Sequence, residues 1–279
     1  VDLTKTAAGL LETLVGYDNL TVKVGVVIFG GYKPVLATTE LTVLDSTTFE
    51  KLQEDILTTA YNDLKDETNS YKLRSGSNLQ AGVQATRDIL TGDNTVDAED
   101  KYMIILSDGG ARVWINEDGE SVAQLHVANN WNTTEDFRSR YVGEGKLGLR
   151  TFDQIMEEAA AGHSIGEYAI TYEESKGLNT SLPEGVNYAT DPYYYSNVEA
   201  GTYYAACSMM EASSECHIIW TAYHWTTVGS EEETFVTSFR NWMAKNQYVT
   251  LYDVSDMQTE EEYQAVYADV HDELIQLVD

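Results

Sequence analysis

The chain has 279 residues, 43% of them hydrophobic, which suffices for one large α/β domain or one domain carrying a substantial insertion. Its 46 Asp and Glu against 17 Lys and Arg give a formal charge of −29, which repels phosphate backbones and argues against a nucleic-acid partner. No apolar run is long enough for membrane insertion, and the opening VDLTKTAAGLLETLVGYD lacks the basic start and clean apolar centre of a secretion signal.

Leu3, Ala7, Leu10, Leu11 and Leu14 recur at helical spacing and predict a helix over 3–15. Val22 to Phe29 then reads as a buried strand running into Gly30 and Gly31. A second strand follows from Val35 to Leu44, with the several Thr of an edge position. Phe49, Leu52, Ile56, Ala60 and Leu64 mark one face of a helix, entered through Asp45, Ser46 and Thr47 as candidate caps.

Ser75 to Val83, SGSNLQAGV, is a Ser/Gly/Asn loop that opens a helix carried by Leu79, Val83, Ile89 and Leu90. Taken on their own, its hydroxyl and amide side chains suit helix capping better than ligation. The centre of the pattern comes next. Lys101 to Gly110, KYMIILSDGG, is an unbroken apolar run of the kind buried on both faces of a sheet, ending in Ser107 and Asp108. Open α/β sheets bind ligands at the carboxyl ends of their strands, which makes Asp108 the first candidate site residue.

Residues 111–200 break the alternation. RVWINEDGESV predicts a hairpin turning at Asp118-Gly119, and Thr151 to Ala161 predicts a helix. Thr171 to Tyr195 has no clear period and carries Tyr193, Tyr194 and Tyr195. From Glu199 the regular pattern returns: a helix through Cys207, Met209 and Met210, a strand over Cys216 to Trp225, and a helix with Phe235, Phe239, Trp242 and Met243 on one face. A strand over Tyr248 to Val254 and a closing helix over Thr259 to Val278 complete it. The expected fold is therefore α/β, a doubly wound and mostly parallel sheet flanked by helices. Residues 1–110 and 201–279 form its body, and 111–200 an inserted arm region.

The five histidines form no His-Glu-x-x-His motif, and neither a nucleophile elbow nor a phosphate loop is present, so catalysis is not expected. Cys207 and Cys216 fit no spaced metal pattern, and the sequence leaves open whether they pair.

With the VGVVIFGG strand, the SGSN loop and the strand ending in Asp108 in this order, the chain resembles a von Willebrand factor A domain. The resemblance implies a divalent cation on top of the sheet, Mg²⁺ with Mn²⁺ or Ca²⁺ as alternatives. Ser77 stands where the family has a metal-ligating Thr, and Asp108 where it has the Asp after its fourth strand. Ser keeps the hydroxyl oxygen that a hard cation needs. Asn78, Arg112, Trp114, Tyr193, Tyr194 and Tyr195 are the candidate ligand-contacting residues, although packing of the insertion against the body explains the tyrosines more readily than contact does.

The family's Asp-x-Ser-x-Ser motif is absent, and the chain opens on the helix that should follow the first, central strand. Asp253-Val254-Ser255-Asp256-Met257 imitates the motif after the last strand, with Met257 where a ligand should stand. The expectation is a chain whose first strand comes from an upstream or separate segment and whose fold is unstable without it. The long arms and the PYYYSNVEAGTYYAA stretch are similar to pilus-tip and wall-anchored adhesins of Gram-positive bacteria. They imply a secreted, cell-wall-attached parent that binds host extracellular matrix protein or another pilus subunit. A metal-free scaffold for assembly or mechanical coupling is the alternative.

Overall fold

A computed structural model of the chain describes residues 3–15, 21–54, 77–107, 110–111, 113–124, 169–171, 200–222, 231–254 and 259–276, together with 153 and 157. The leading helix is α1, Leu3–Leu14. The strand expected over Val22 to Phe29 divides into β1, Lys23–Val24, and β2, Val27–Phe29. Its partner divides in the same way into β3, Val35–Thr38, and β4, Thr42–Val43. The four pieces form an interrupted antiparallel hairpin, β2 on β3 and β1 on β4. The interruption has a local cause, because the Val26 N–H donates to the Thr39 hydroxyl at 2.9 Å instead of to a carbonyl.

Helix α2, Ser46–Leu52, opens on an Asp45 cap, with a capping box in which Asp45 and Thr48 each satisfy the other's backbone N–H. The remainder of the predicted 49–64 helix beyond Glu54 lies outside the described residues. Helix α3, Leu79–Gly92, follows the SGSN loop, and β5, Tyr102–Ser107, is the predicted central strand. The hairpin at Asp118-Gly119 forms as β6, Trp114–Ile115, and β7, Ser121–Gln124, with Gly119 at φ 82°, a left-handed conformation that glycine adopts without penalty. β8, Ala169–Thr171, adds to β7 to give an antiparallel sheet of its own. Trp114, Val122 and Ala205 fasten this small sheet to α4, Ala200–Ala212.

The closing half alternates as expected: α4, β9 (His217–Ala222), α5 (Glu231–Ala244), β10 (Val249–Asp253) and α6 (Glu260–Gln276). β9 lies between β10 and β5 and is parallel to both. The fold is thus α/β, a three-stranded parallel sheet flanked by helices.

Helices cover both faces. On one, Leu79 and Val83 of α3, Cys207 and Met210 of α4 and Phe239 and Met243 of α5 bury Met103, Ile105, Ile218 and Trp220. Trp220 and Phe239 meet edge to face at 5.4 Å. On the other, Leu10 and Leu14 of α1, Leu52 of α2 and Val266, Val270 and Leu274 of α6 enclose Ile219 and Val254. The alternation along β5 follows from this, Met103 and Ile105 facing one layer and Tyr102, Ile104 and Leu106 the other.

The layer is continuous but its hydrogen bonding is not. Among the described residues β5 pairs with β9 alone and β2 with β3 alone, so neither has a described partner on its other edge. The side chains beside those edges are incompletely covered: Val22, Val24, Val26, Val27, Ile28 and Phe29 on one side and Tyr102, Ile104 and Leu106 on the other are all half-buried. The expected deep burial is therefore not observed over Val24 to Phe29, and only Gly30 and Gly31 of the run are buried.

Candidate functional site

The carboxyl ends of the parallel strands form one row. Ser107 of β5 stands opposite Ala222 of β9, and Ala222 opposite Asp253 of β10. Ser107 is buried at this rim, with Thr221 buried one row deeper. The SGSN loop reaches the same end of the sheet. The Asn78 N–H donates to the carbonyl of Gly30, directly after β2, at 2.5 Å, and the Ser77 carbonyl accepts from the N–H of Val113, beyond β5, at 3.3 Å. The loop thereby links the residue after β2 to the segment beyond β5.

Asn78 is fully buried and caps α3, its Oδ1 accepting from the Ala81 N–H at 3.0 Å. Its Nδ2 has no hydrogen-bond partner among the described residues. Ser77 is half-buried beside it. A further tie holds the segment after β5, with the Ile115 N–H donating to Gln80 Oε1 at 2.7 Å. Gly110, Ala111 and Val113 are buried here.

Helix α3 comes close to β2 at Gly82, where an added Cβ would lie 2.7 Å from Cδ1 of Phe29. That closeness brings the helix start down to the rim. Tyr32, in the turn following Gly30, has its phenol pushed up to about 12 by burial and stays neutral at physiological pH.

Of the residues singled out in the sequence, Ser77 and Asn78 are placed together at the rim. Trp114 is 6% exposed and packs with Val122 and Ala205. Asp108, Arg112, Tyr193, Tyr194 and Tyr195 lie outside the described residues, as do Ser255, Asp256 and Met257 of the motif-like stretch. Gly30, Gln80 and Gly82 were not anticipated as organisers of the site. A glycine inside a helix was the one available signal, since helix propensity disfavours it unless something must pass close by.

The oxygens at this rim suit a hard cation. The Ser77 and Ser107 hydroxyls are of the class that Mg²⁺ accepts, and a carboxylate follows Ser107 directly in the chain as Asp108. Among the described residues no three His, Cys, Asp or Glu side chains gather as a metal-binding group. No described helix is long and apolar enough to cross a membrane.

No protein-family model matches the chain, and no curated protein matches it. Among solved structures it is similar to the crystal structure of the pilus adhesin SpaC from Lactobacillus rhamnosus GG, with 12% sequence identity and a TM-score of 0.47. The likeness covers 98% of this chain and 27% of that one, so the chain spans about a quarter of that adhesin's length.

Proposed function

We propose that the chain is an adhesion module of von Willebrand factor A type, secreted and held at the cell surface, that grips a protein ligand through Mg²⁺ at the carboxyl end of the sheet. The reading rests on one observation above others. The Ser77–Asn78 loop is tied through its backbone to Gly30, directly after β2, and to Val113, beyond β5, and Asp108 follows Ser107 of β5 in the sequence. When bound, the ion supplies a Lewis-acidic position for a carboxylate or other oxygen of the ligand. Ser77 and Asp108 are the residues of this chain that would hold it. Adhesion by coordination involves no turnover and needs no general base.

In this reading Arg112 and Tyr193, Tyr194 and Tyr195 add contact area around the ion, as Arg and aromatic side chains commonly do at interfaces. Trp114 acts from beneath, through its packing on Val122 and Ala205. A host matrix protein and another pilus subunit both carry the required surface carboxylates.

Calorimetric titration of the chain and of Asp108→Ala with Mg²⁺ and Mn²⁺ tests the assignment. Saturable heat from the wild-type chain, at least tenfold weaker in Asp108→Ala with an unchanged thermal melt, is expected. Undiminished affinity in the variant would remove Asp108 from the site. No heat from the wild-type chain would favour the alternative of a metal-free scaffold for assembly or mechanical coupling.

A further inference from the structure

We infer that Lys33 is a specificity-determining residue of the rim, its ammonium selecting partner segments that carry a second carboxylate close to the one offered to the ion. The inference rests on the adhesive reading of that rim and adds the chemical class of the partner: an acidic stretch of polypeptide with two carboxylates on one side.

Placement comes first. Lys33 lies in the turn between β2 and β3, which closes on itself where the Gly30 N–H donates to the Pro34 carbonyl at 3.0 Å. The Lys33 carbonyl sits over Gly30, 2.8 Å from where a Cβ there would stand. The Gly30 carbonyl in turn accepts from the Asn78 N–H, so Gly30 joins the turn that carries Lys33 to the loop that carries Ser77. Gly30 and Gly31 are buried and Tyr32 and Pro34 half-buried, which anchors the turn, and Lys33 is the exposed residue among 30–34 and 77–78. A cation on an anchored turn loses less freedom on binding than one on a free loop.

Charge comes next. Lys23 pairs with Asp93, Arg87 with Glu215, and the Lys101 ammonium donates to the Asp93 carbonyl, so these cations serve the fold. Lys33 makes no ion pair among the described residues. The formal charge of −29 opposes an acidic partner at long range, so attraction to one has to be local. An uncommitted ammonium on a turn tied to the Ser77 loop supplies it.

Spacing and magnitude define what such a residue does. In an extended segment, residues two apart project from the same side about 7 Å from each other. The flexible four-carbon stem of a lysine on a neighbouring turn can follow the second carboxylate over that distance while the first stays at the ion. An exposed pair of this kind changes affinity by roughly two- to fivefold and fades with salt. Lys33 therefore sets a preference among partners, and the grip itself stays with the ion.

The test uses the whole chain in Mg²⁺ and two fluorescein-labelled peptides, Gly-Ser-Asp-Gly-Asp-Ser-Gly and the same peptide with its second Asp replaced by Asn, read by fluorescence polarisation at low and high salt. The wild-type chain prefers the peptide with two carboxylates by about threefold at low salt and loses the preference at high salt. Lys33→Arg keeps the preference and Lys33→Glu reverses it. Lys33→Gln abolishes it while leaving the thermal melt and the affinity for the single-carboxylate peptide in place. An undiminished preference in Lys33→Gln, equal binding of the two peptides by the wild-type chain, or no binding of either would each overturn the proposal. Mg²⁺ heat without peptide binding would do so while leaving the ion in place. A Lys33-dependent preference that persists in a chelator would instead sink the metal reading and leave Lys33 standing.

Discussion

The Asn78 N–H donates to the Gly30 carbonyl at 2.5 Å, joining the cap residue of a helix to the residue that directly follows a strand. One residue therefore performs two tasks by different atoms: its backbone ties α3 to β2, and its Oδ1 caps α3 on Ala81. Substitutions that keep the backbone and change the side chain separate them.

Asn78→Ala removes the cap oxygen, a loss of about 1 kcal/mol, and also removes the unpartnered Nδ2, whose burial costs about 1–3 kcal/mol. Asn78→Ser keeps an acceptor and drops the orphaned donor. In urea titrations of the chain alone, Asn78→Ser is expected to match or exceed the wild-type midpoint, with Asn78→Ala below Asn78→Ser. Equal large losses in both would show that the amide has a partner.

Gly82→Ala should destabilise by about 1–2 kcal/mol, although alanine in a helix interior normally gains about 1 kcal/mol over glycine. The new Cβ would stand 2.7 Å from Cδ1 and 2.8 Å from Cγ of Phe29, near the root of the ring where rotation gives no relief. Adding Phe29→Leu should recover part of the loss in a thermal melt. A Gly82→Ala midpoint above wild type would mean that α3 does not press on β2.

Alkaline pH should unfold the chain before ordinary tyrosine chemistry alone would suggest. Burial raises Tyr32 to about 12, and burial followed by the charges of Glu211 and Cys207 raises Tyr248 to about 12, both from an ordinary 10.0. Tyr252 also moves upward, through burial and then its hydrogen bond to Glu273. A raised folded value means that the folded state holds its proton while the unfolded state loses it. The contribution is complete below pH 10 and is lost as pH rises from about 10 to 12. Denaturant midpoints taken at pH 9, 10 and 11 should fall across the last two, and Tyr248→Phe should flatten part of that fall.

Much of the architecture was legible because hydrophobic periodicity is set by burial. The unbroken KYMIILS run became β5, Asp45 became a cap, and the Asp118-Gly119 turn formed with Gly119 at positive φ. The break between β1 and β2 was illegible, since it depends on the Thr39 hydroxyl displacing a carbonyl as partner of Val26, a choice that β-propensity does not encode. At the site, Ser77 and Asn78 could be named from their residue types. Their tethers to Gly30 and Val113 are main-chain contacts, to which side-chain identity gives no key. Residue type alone leaves Trp114 a candidate for ligand contact or for packing of the insertion, and its neighbours Val122 and Ala205 are known only from the fold.

Cys207 and Cys216 are unpaired, fully buried and members of the core under α3, α4 and α5, and burial lifts both thiols above their ordinary range. The opposite core, under α1, α2 and α6, has no cysteine among its members. A thiol-specific dye is consequently a clock wired to one hemisphere of the molecule: it advances when that half comes apart and stays silent while the other half breathes.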